Sequence, residues 1–162
     1  MELCRDPEIV RWIRVSADYG LGDARAYLDT REPSAQAGLG AHFAIARTAG
    51  DPPVGSISLL RFAWAHRRGE VGYWLGAGAR GEGHATRAVR LICRWGFRAL
   101  GLERVDLLAA TGNVASQRVA ERAGFTREAV LRCYEAGAEG RDDLVCFGLL
   151  ADDRPTARPV TP

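Results

Sequence analysis

Gly72-Tyr73-Trp74-Leu75-Gly76-Ala77-Gly78-Ala79-Arg80-Gly81-Glu82-Gly83-His84-Ala85-Thr86 reads as the end of a strand, a glycine-rich turn and the first turn of a long helix. The first N–H groups of a helix have no partner within it, and they lie at the positive end of its dipole. A glycine turn brings further backbone N–H groups to the same place. That combination binds phosphate.

The strand entering this turn begins at Glu70. Period-two alternation puts Glu70, Gly72 and Trp74 on one face and Val71, Tyr73 and Leu75 on the other. A carboxylate on a central strand is disfavoured there unless it is paired or used. Upstream, His42–Arg47 and Val54–Phe62 also read as strands, with turns at Gly50-Asp51-Pro52-Pro53 and Ala65–Gly69. Short connections make the three strands an antiparallel meander. Downstream, Gly83–Leu100 is a helix with an inner stripe of Val89, Ile92, Gly96 and Leu100. Its outer stripe of Arg87, Arg90, Arg94 and Arg98 is a solvated face. Arg104–Ala110 follows as a strand, parallel to Glu70–Leu75 because a helix bridges the two. Asn113 caps a helix that runs to Ala123, and Gly124 ends it. Thr126–Tyr134 and Asp143–Leu150 form the last pair of strands, joined by a polar loop at Glu135–Asp142. The first 40 residues read as helices over Met1–Asp18 and Asp23–Thr30, then a loop over Arg31–Gly40. Ile9, Ile13 and Trp12 supply the inward face of the first helix.

The 162 residues are 47% hydrophobic and 26% charged, which suits one domain over residues 1–151. Pro155, Pro159 and Pro162, with no apolar pattern, mark a disordered tail over 152–162. A net charge of +2 argues against general nucleic-acid binding. No apolar run is long enough to span a bilayer. Cys4, Cys93, Cys133 and Cys146 lie at no metal-ligand spacing and read as free thiols of a cytoplasmic protein, so no metal is expected.

Three owners compete for the glycine turn. A nucleotide P-loop requires Lys-Ser/Thr after its last glycine, whereas His84-Ala85 follows Gly83 and all 22 basic residues are arginine. A dinucleotide site is the second: Gly76, Gly78 and Gly81 match G-x-G-x-x-G, and Glu103 and Asp106 lie about 20 residues on. Those acids sit at the beginning of their strand, however, where a ribose-binding acid belongs at its far end. Glu70 also occupies a position where a doubly wound sheet wants an apolar run.

The third reading is a resemblance. Arg80-Gly81-Glu82-Gly83-His84-Ala85 resembles the acetyl-CoA signature [Q/R]-x-x-G-x-[G/A] of the GNAT acetyltransferase superfamily. Glu70–Leu75 resembles the strand that precedes the signature in the RimJ/RimL-type branch. Asn113-Val114-Ala115-Ser116 is similar to that branch's N-x-x-S, and Ala120-Glu121-Arg122-Ala123-Gly124-Phe125 to its A-E-[KR]-x-G-F run. The matches span Pro53 to Leu150 in the family's order. The resemblance implies an α+β GNAT fold: a mixed central sheet flanked by helices, built from the meander, a parallel β-α-β unit and a C-terminal hairpin. It implies acetyl transfer from acetyl-CoA to a primary amine, either a protein N-terminal α-amine or a small molecule. The alternative within the family is a module that binds acetyl-CoA without catalysis. A monomer or a homodimer fits equally.

Roles follow by the same resemblance. Backbone of Arg80, Gly81, Glu82, Gly83, His84, Ala85 and Thr86 would hold the pyrophosphate, with the Arg80 side chain adding positive charge and the Glu82 side chain turned to solvent. Trp74 and Leu75 would pair with the pantetheine arm in a cleft where the two parallel strands splay apart, and a backbone N–H near them would meet the oxyanion. Asn113 would contact pantetheine while capping its helix. Ser116 would serve the leaving thiolate, with Tyr134 as a reserve acid. Glu70 and Glu135 compete as the base. For Glu70 the plainer role is an ion pair with Arg61 or Arg68; for Glu135 it is a solvated loop charge. The family's opening strand is missing, since Met1–Glu8 looks like the end of its first helix. Acceptor specificity would lie in Ala17–Gly40 and Glu135–Asp142.

Overall fold

The computed structural model describes residues 2–13, 15–16, 18–137 and 140–153. Strands β1 (Gly40–Ile45), β2 (Gly55–Ala63) and β3 (Arg68–Leu75) form the expected antiparallel meander. A long helix (His84–Ala99) then crosses to β4 (Arg104–Ala110), which runs parallel to β3. A shorter helix (Val114–Ala123) leads to the hairpin β5 (Thr126–Gly137) and β6 (Gly140–Leu150). Strand β6 inserts beside β4, so the sheet order is β1-β2-β3-β4-β6-β5. No strand precedes β1 among the described residues, and β1 forms one edge of the sheet.

Alternation sets the two faces of that sheet. Val105, Leu107 and Ala109 of β4 are buried, as are Val145, Phe147 and Leu149 of β6 and Val71 and Leu75 of β3. They pack against the apolar stripe of the long helix, where Val89, Ile92, Cys93 and Gly96 are buried and Arg87, Arg90, Arg94 and Arg98 are exposed. On the other face Arg104 donates Nε to Asp106 at 2.6 Å and binds Glu128 through both terminal nitrogens at 3.0 and 2.5 Å. Arg68 lies 3.4 Å from the same Asp106. These charges sit where water and one another can satisfy them, so the sheet is apolar on one side only.

Helices α1 (Pro7–Ile13), α2 (Leu21–Asp29) and α3 (Arg31–Gln36) precede the sheet, and the long and short helices above are α4 and α5. Three expectations need correction here. The helix expected over Met1–Asp18 is only α1, preceded by a 3-10 turn at Glu2–Arg5; Met1, Arg14 and Ala17 lie outside the described residues. Asp6 restarts the helix, because its carboxylate accepts the Glu8 and Ile9 N–H groups at 2.9 and 3.4 Å, and Pro7 suits the first helical position. The loop expected over Arg31–Gly40 contains α3. Its Pro33 stands in the first turn, where the missing N–H would have had no helical partner. The loop expected over Glu135–Asp142 is mostly ladder, pairing Glu135 with Asp142, Ala136 with Arg141 and Gly137 with Gly140. Both arms of that hairpin end are largely solvated, so polar residues do not exclude strand there. Ala138 and Glu139 lie outside the described residues, as does the expected tail from 154 onward; Asp153 folds back on Leu150 through bonds of 3.1 and 2.8 Å.

The pairing of the two parallel strands positions the site. The parallel ladder between β3 and β4 pairs Arg68 with Arg104, Gly69 with Val105 and Glu70 with Asp106, and stops there. From Val71 and Leu107 onward the two strands diverge, as the resemblance implied. A cleft opens in the middle of the sheet, at the end that points toward the glycine turn.

Candidate active site

After Leu75 the chain makes a 3-10 turn over Ala77–Ala79 and reaches α4 through Gly81 and Gly83, at φ +81° and +79°. That left-handed region disfavours side chains, so glycine is favoured at both positions. Gly83 is the N-cap of α4 and offers no side-chain cap. Its carbonyl accepts the Arg87 N–H at 3.0 Å, which leaves the N–H groups of His84, Ala85 and Thr86 without helical partners. A Cβ at Gly81 or Gly83 would meet nothing within 4 Å, so the space over both glycines is open.

That space is one end of a groove of about 380 Å³. Trp74, Leu75, Arg80, Gly81, Gly83, His84, Ala85 and Thr86 line it from the strand and turn, and Asn113 and Ser116 line it from the start of α5. Glu82 does not. Its side chain is 53% exposed and paired with His84 at 2.9 Å and Arg47 at 3.6 Å, and these partners hold its carboxyl below the usual range, the His84 hydrogen bond first. Arg80 lines the groove but is engaged: Nε donates to the Leu75 carbonyl at 3.0 Å and Nη2 lies 3.1 Å from Asp6. Its charge is partly offset by that acid. Arg118 and Arg122, one turn apart on α5, add two cations along the wall.

A second cavity of about 170 Å³ occupies the opening between β3 and β4. Its walls are Val71, Gly72 and Tyr73 on one side and Leu107–Ala110 on the other, with Glu135, Asp142 and Leu144 from the hairpin. The cavity and the groove share Trp12, Ile13, Tyr73, Asn113 and Ser116. The polar groups at this junction are therefore few. Asn113 Oδ1 accepts the Ser116 N–H at 3.0 Å, and Gln117 donates to the Ala110 and Thr111 carbonyls at 3.2 and 2.8 Å. Together these fix the turn that carries Ser116. The Ser116 hydroxyl lies 3.0 Å from that of Tyr73, whose phenol is pushed up to about 12 by burial, against the effect of the Ser116 hydrogen bond.

The two candidate bases separate. Glu70 is ion-paired with Arg61, and it lines neither cavity. Glu135 lines the smaller cavity and lies 3.7 Å from Arg61 Nη2. Arg61 reaches both from a bulge in β2, with φ +50°. Tyr134 is 52% exposed and lines neither cavity. Among the described residues no group of His, Cys, Asp and Glu could hold a metal ion.

Besides Arg118 and Arg122, sequence reasoning missed two contributors. The first is α1, whose Glu8, Ile9, Trp12 and Ile13 line the groove; Glu8 accepts the Trp12 indole N–H at 2.9 Å. A helix of one or two turns gives little periodic signal, but the spacing of Ile9, Trp12 and Ile13 was visible. The second is Tyr73, which alternation assigns to the core with Val71 and Leu75. The signal available was its hydroxyl, because a buried tyrosine seeks a partner.

Known proteins share this fold. Residues 1–126 match the family model described as acetyltransferase (GNAT) domain. The uncharacterized N-acetyltransferase p20 of Bacillus licheniformis is 26% identical over 145 residues, 90% of this chain and 82% of that protein. The ribosomal-protein-serine acetyltransferase of Escherichia coli is 27% identical over 104 residues, 64% of this chain and 58% of that protein. Among solved structures, Mycobacterium smegmatis RimJ in complex with CoA-disulfide superposes with a TM-score of 0.85 at 21% identity, covering 94% of this chain and 75% of that one.

Proposed function

The chain belongs to the GNAT acetyltransferase family and is an N-acetyltransferase that uses acetyl-CoA; we propose that its acceptor is the α-amine of a protein N-terminus, entering through the smaller cavity. The observation that carries this reading is the meeting of two cavities at Ser116. A transfer needs its donor and acceptor to touch at one point, with water largely excluded. The larger groove suits the donor. It offers the unpartnered N–H groups of α4 to a pyrophosphate, the cations Arg118 and Arg122 along its wall, and an apolar passage past Leu75, Ala79 and Ile9 for pantetheine. The smaller cavity holds about one residue's side chain and carries two carboxylates, the chemistry that receives an ammonium group.

The residues divide the reaction among them. The amine nitrogen bonds to the acetyl carbon while the carbon–sulfur bond breaks, leaving its electron pair on sulfur. Glu135 takes the proton that the ammonium sheds, directly or through one water. Backbone N–H near Trp74 and Leu75, where β3 has left β4, meets the oxyanion. Ser116 donates a hydrogen bond to the departing sulfur, and the second proton that the nitrogen loses as it becomes an amide ends on that sulfur, releasing coenzyme A as the thiol. Glu70 stays in its ion pair with Arg61 and takes no proton.

Two considerations favour an α-amine over a lysine. An α-amine has a reference pKa of about 7.7–8.0 against about 10.4 for lysine, so near neutrality a useful fraction is already uncharged and modest base catalysis suffices. A relative that matches over 64% of this chain is also named for acting on ribosomal-protein serine. The test is mass spectrometry of a peptide panel incubated with acetyl-CoA, with small polyamines alongside. Acetylation at the N-terminus of peptides beginning with serine is expected. Turnover of polyamines with no peptide product would overturn the acceptor assignment.

A further inference from the structure

Tyr73 is the one hydroxyl at the junction that no role above uses. It comes from the middle of β3, where the strand has just parted from β4, and it lines both cavities. Its oxygen sits 3.0 Å from Ser116 Oγ, on an element 43 residues away in sequence. From its other side Ser116 is held by the cap to Asn113 Oδ1 at 3.0 Å. A serine hydroxyl has one proton and two lone pairs, and its proton turns toward the best acceptor available. The phenol keeps its proton at any working pH, since burial pushes it up to about 12. With Tyr73 as the donor, its bond fills a Ser116 lone pair, pins the serine oxygen and polarises the serine O–H, which a phenylalanine in its place does not do. The serine O–H then points forward into the junction.

We infer that Tyr73 is a positioning residue: its hydroxyl orients the Ser116 hydroxyl so that Ser116 donates to the sulfur of coenzyme A where the two cavities meet. The inference rests on the acetyl-CoA reading above and adds a residue to it. Tyr73 itself need not touch the sulfur, and no proton leaves it. The pair acts as a small preorganised donor for charge that develops on sulfur as the carbon–sulfur bond breaks.

The most direct readout is the thiol of bound coenzyme A, followed as a function of pH by the ultraviolet absorbance of the thiolate, as a difference against the free enzyme. A donor at sulfur favours the charged form, so the thiol of CoA bound to the wild-type protein should titrate below that of free CoA. Tyr73→Phe should move it back toward the free value, and Ser116→Ala should do the same. The double variant should go no further than Ser116→Ala alone, because Tyr73 acts through Ser116. Turnover with a peptide beginning with serine should fall about tenfold in Tyr73→Phe, the scale of one hydrogen bond, with the KM for acetyl-CoA little changed. A tyrosine that only packs would leave the thiol titration where it is. An unshifted thiol in the wild-type complex, a Tyr73→Phe profile equal to wild type, or losses that add in the double variant would each overturn the inference. Failure of CoA to bind at all is a different result, and it would bring down the acetyl-CoA site itself.

Discussion

Replacing Gly83 by aspartate isolates the anion site better than any other single change. Gly83 stands at φ +79° at the N-cap of α4, with open space where a Cβ would go, so the new side chain meets no steric clash. Two effects remain. A non-glycine residue in the left-handed region costs roughly 1–2 kcal/mol, less for asparagine and aspartate, which tolerate it. The carboxylate also faces the phosphate. At a separation of about 5 Å, two unit charges repel by about 0.8 kcal/mol in bulk water and about 3 kcal/mol at the effective dielectric of a protein surface. Acetyl-CoA should therefore bind roughly 10- to 100-fold more weakly. Gly83→Asn carries nearly the same shape and strain without the charge, so the ratio of the two dissociation constants reports the charge alone. Titration calorimetry serves, as does quenching of Trp12 and Trp74, which line the groove. The gap between the two variants should narrow as salt rises. Equal affinity of the aspartate and asparagine variants, in low salt, would refute a phosphate at this turn.

Other outcomes follow from the same structure. Glu135→Gln should lower kcat by about 100-fold, the usual scale for a general base, whereas Glu70→Gln should leave kcat within a few-fold; stopped assays on both variants check this. The reverse pattern would return the base to Glu70. Gly96→Ala places a methyl group 2.9 Å from Leu59 Cδ1 in the core, and should destabilise the protein by about 1–3 kcal/mol in urea titrations. His42 sits among Arg31, Tyr27 and Ser58, and burial, then the Arg31 charge, depresses its pKa. The unfolded chain thus binds the His42 proton more readily than the folded one. The stability this represents is intact above about pH 6.5 and is lost as pH falls below it, so His42→Gln should flatten the fall in melting temperature on acidification from neutral pH toward the lower, folded-state pKa.

How much of this was legible in the sequence varies by element. The meander, the crossover helix and the parallel pairing of β3 with β4 follow from signals of long reach: alternation in Glu70–Leu75, a helical stripe through Val89, Ile92 and Gly96, and the cap at Asn113; the splay was implied only by the resemblance, and the place of β6 beside β4 had no local signal. Part of the larger groove was legible for the same reason, since one turn and one helix start, from Ala79 to Thr86, supply about a third of its lining. Short elements were not. Pro33 looks like a breaker until it is seen in the first turn of α3, and the polar Glu135–Asp142 segment looks like a loop until its register is fixed by β6. The base was the least legible of all. Whether a carboxylate faces a cavity or an arginine depends on which side chains long-range packing brings near, and Arg61 reaches both Glu70 and Glu135 from a strand bulge that no local pattern announces. Tyr73 was hidden because a residue facing the core and a residue facing a cleft share one side of a strand once that strand leaves its neighbour.

The measurement that bears most directly on the account is a crystal structure of the protein with coenzyme A. The pyrophosphate is expected on the N–H groups from Gly81 to Thr86, pantetheine between β3 and α5, and the sulfur within hydrogen-bond reach of Ser116 Oγ at the mouth of the smaller cavity. A sulfur lying away from Ser116, or a pyrophosphate bound elsewhere than the glycine turn, would contradict it.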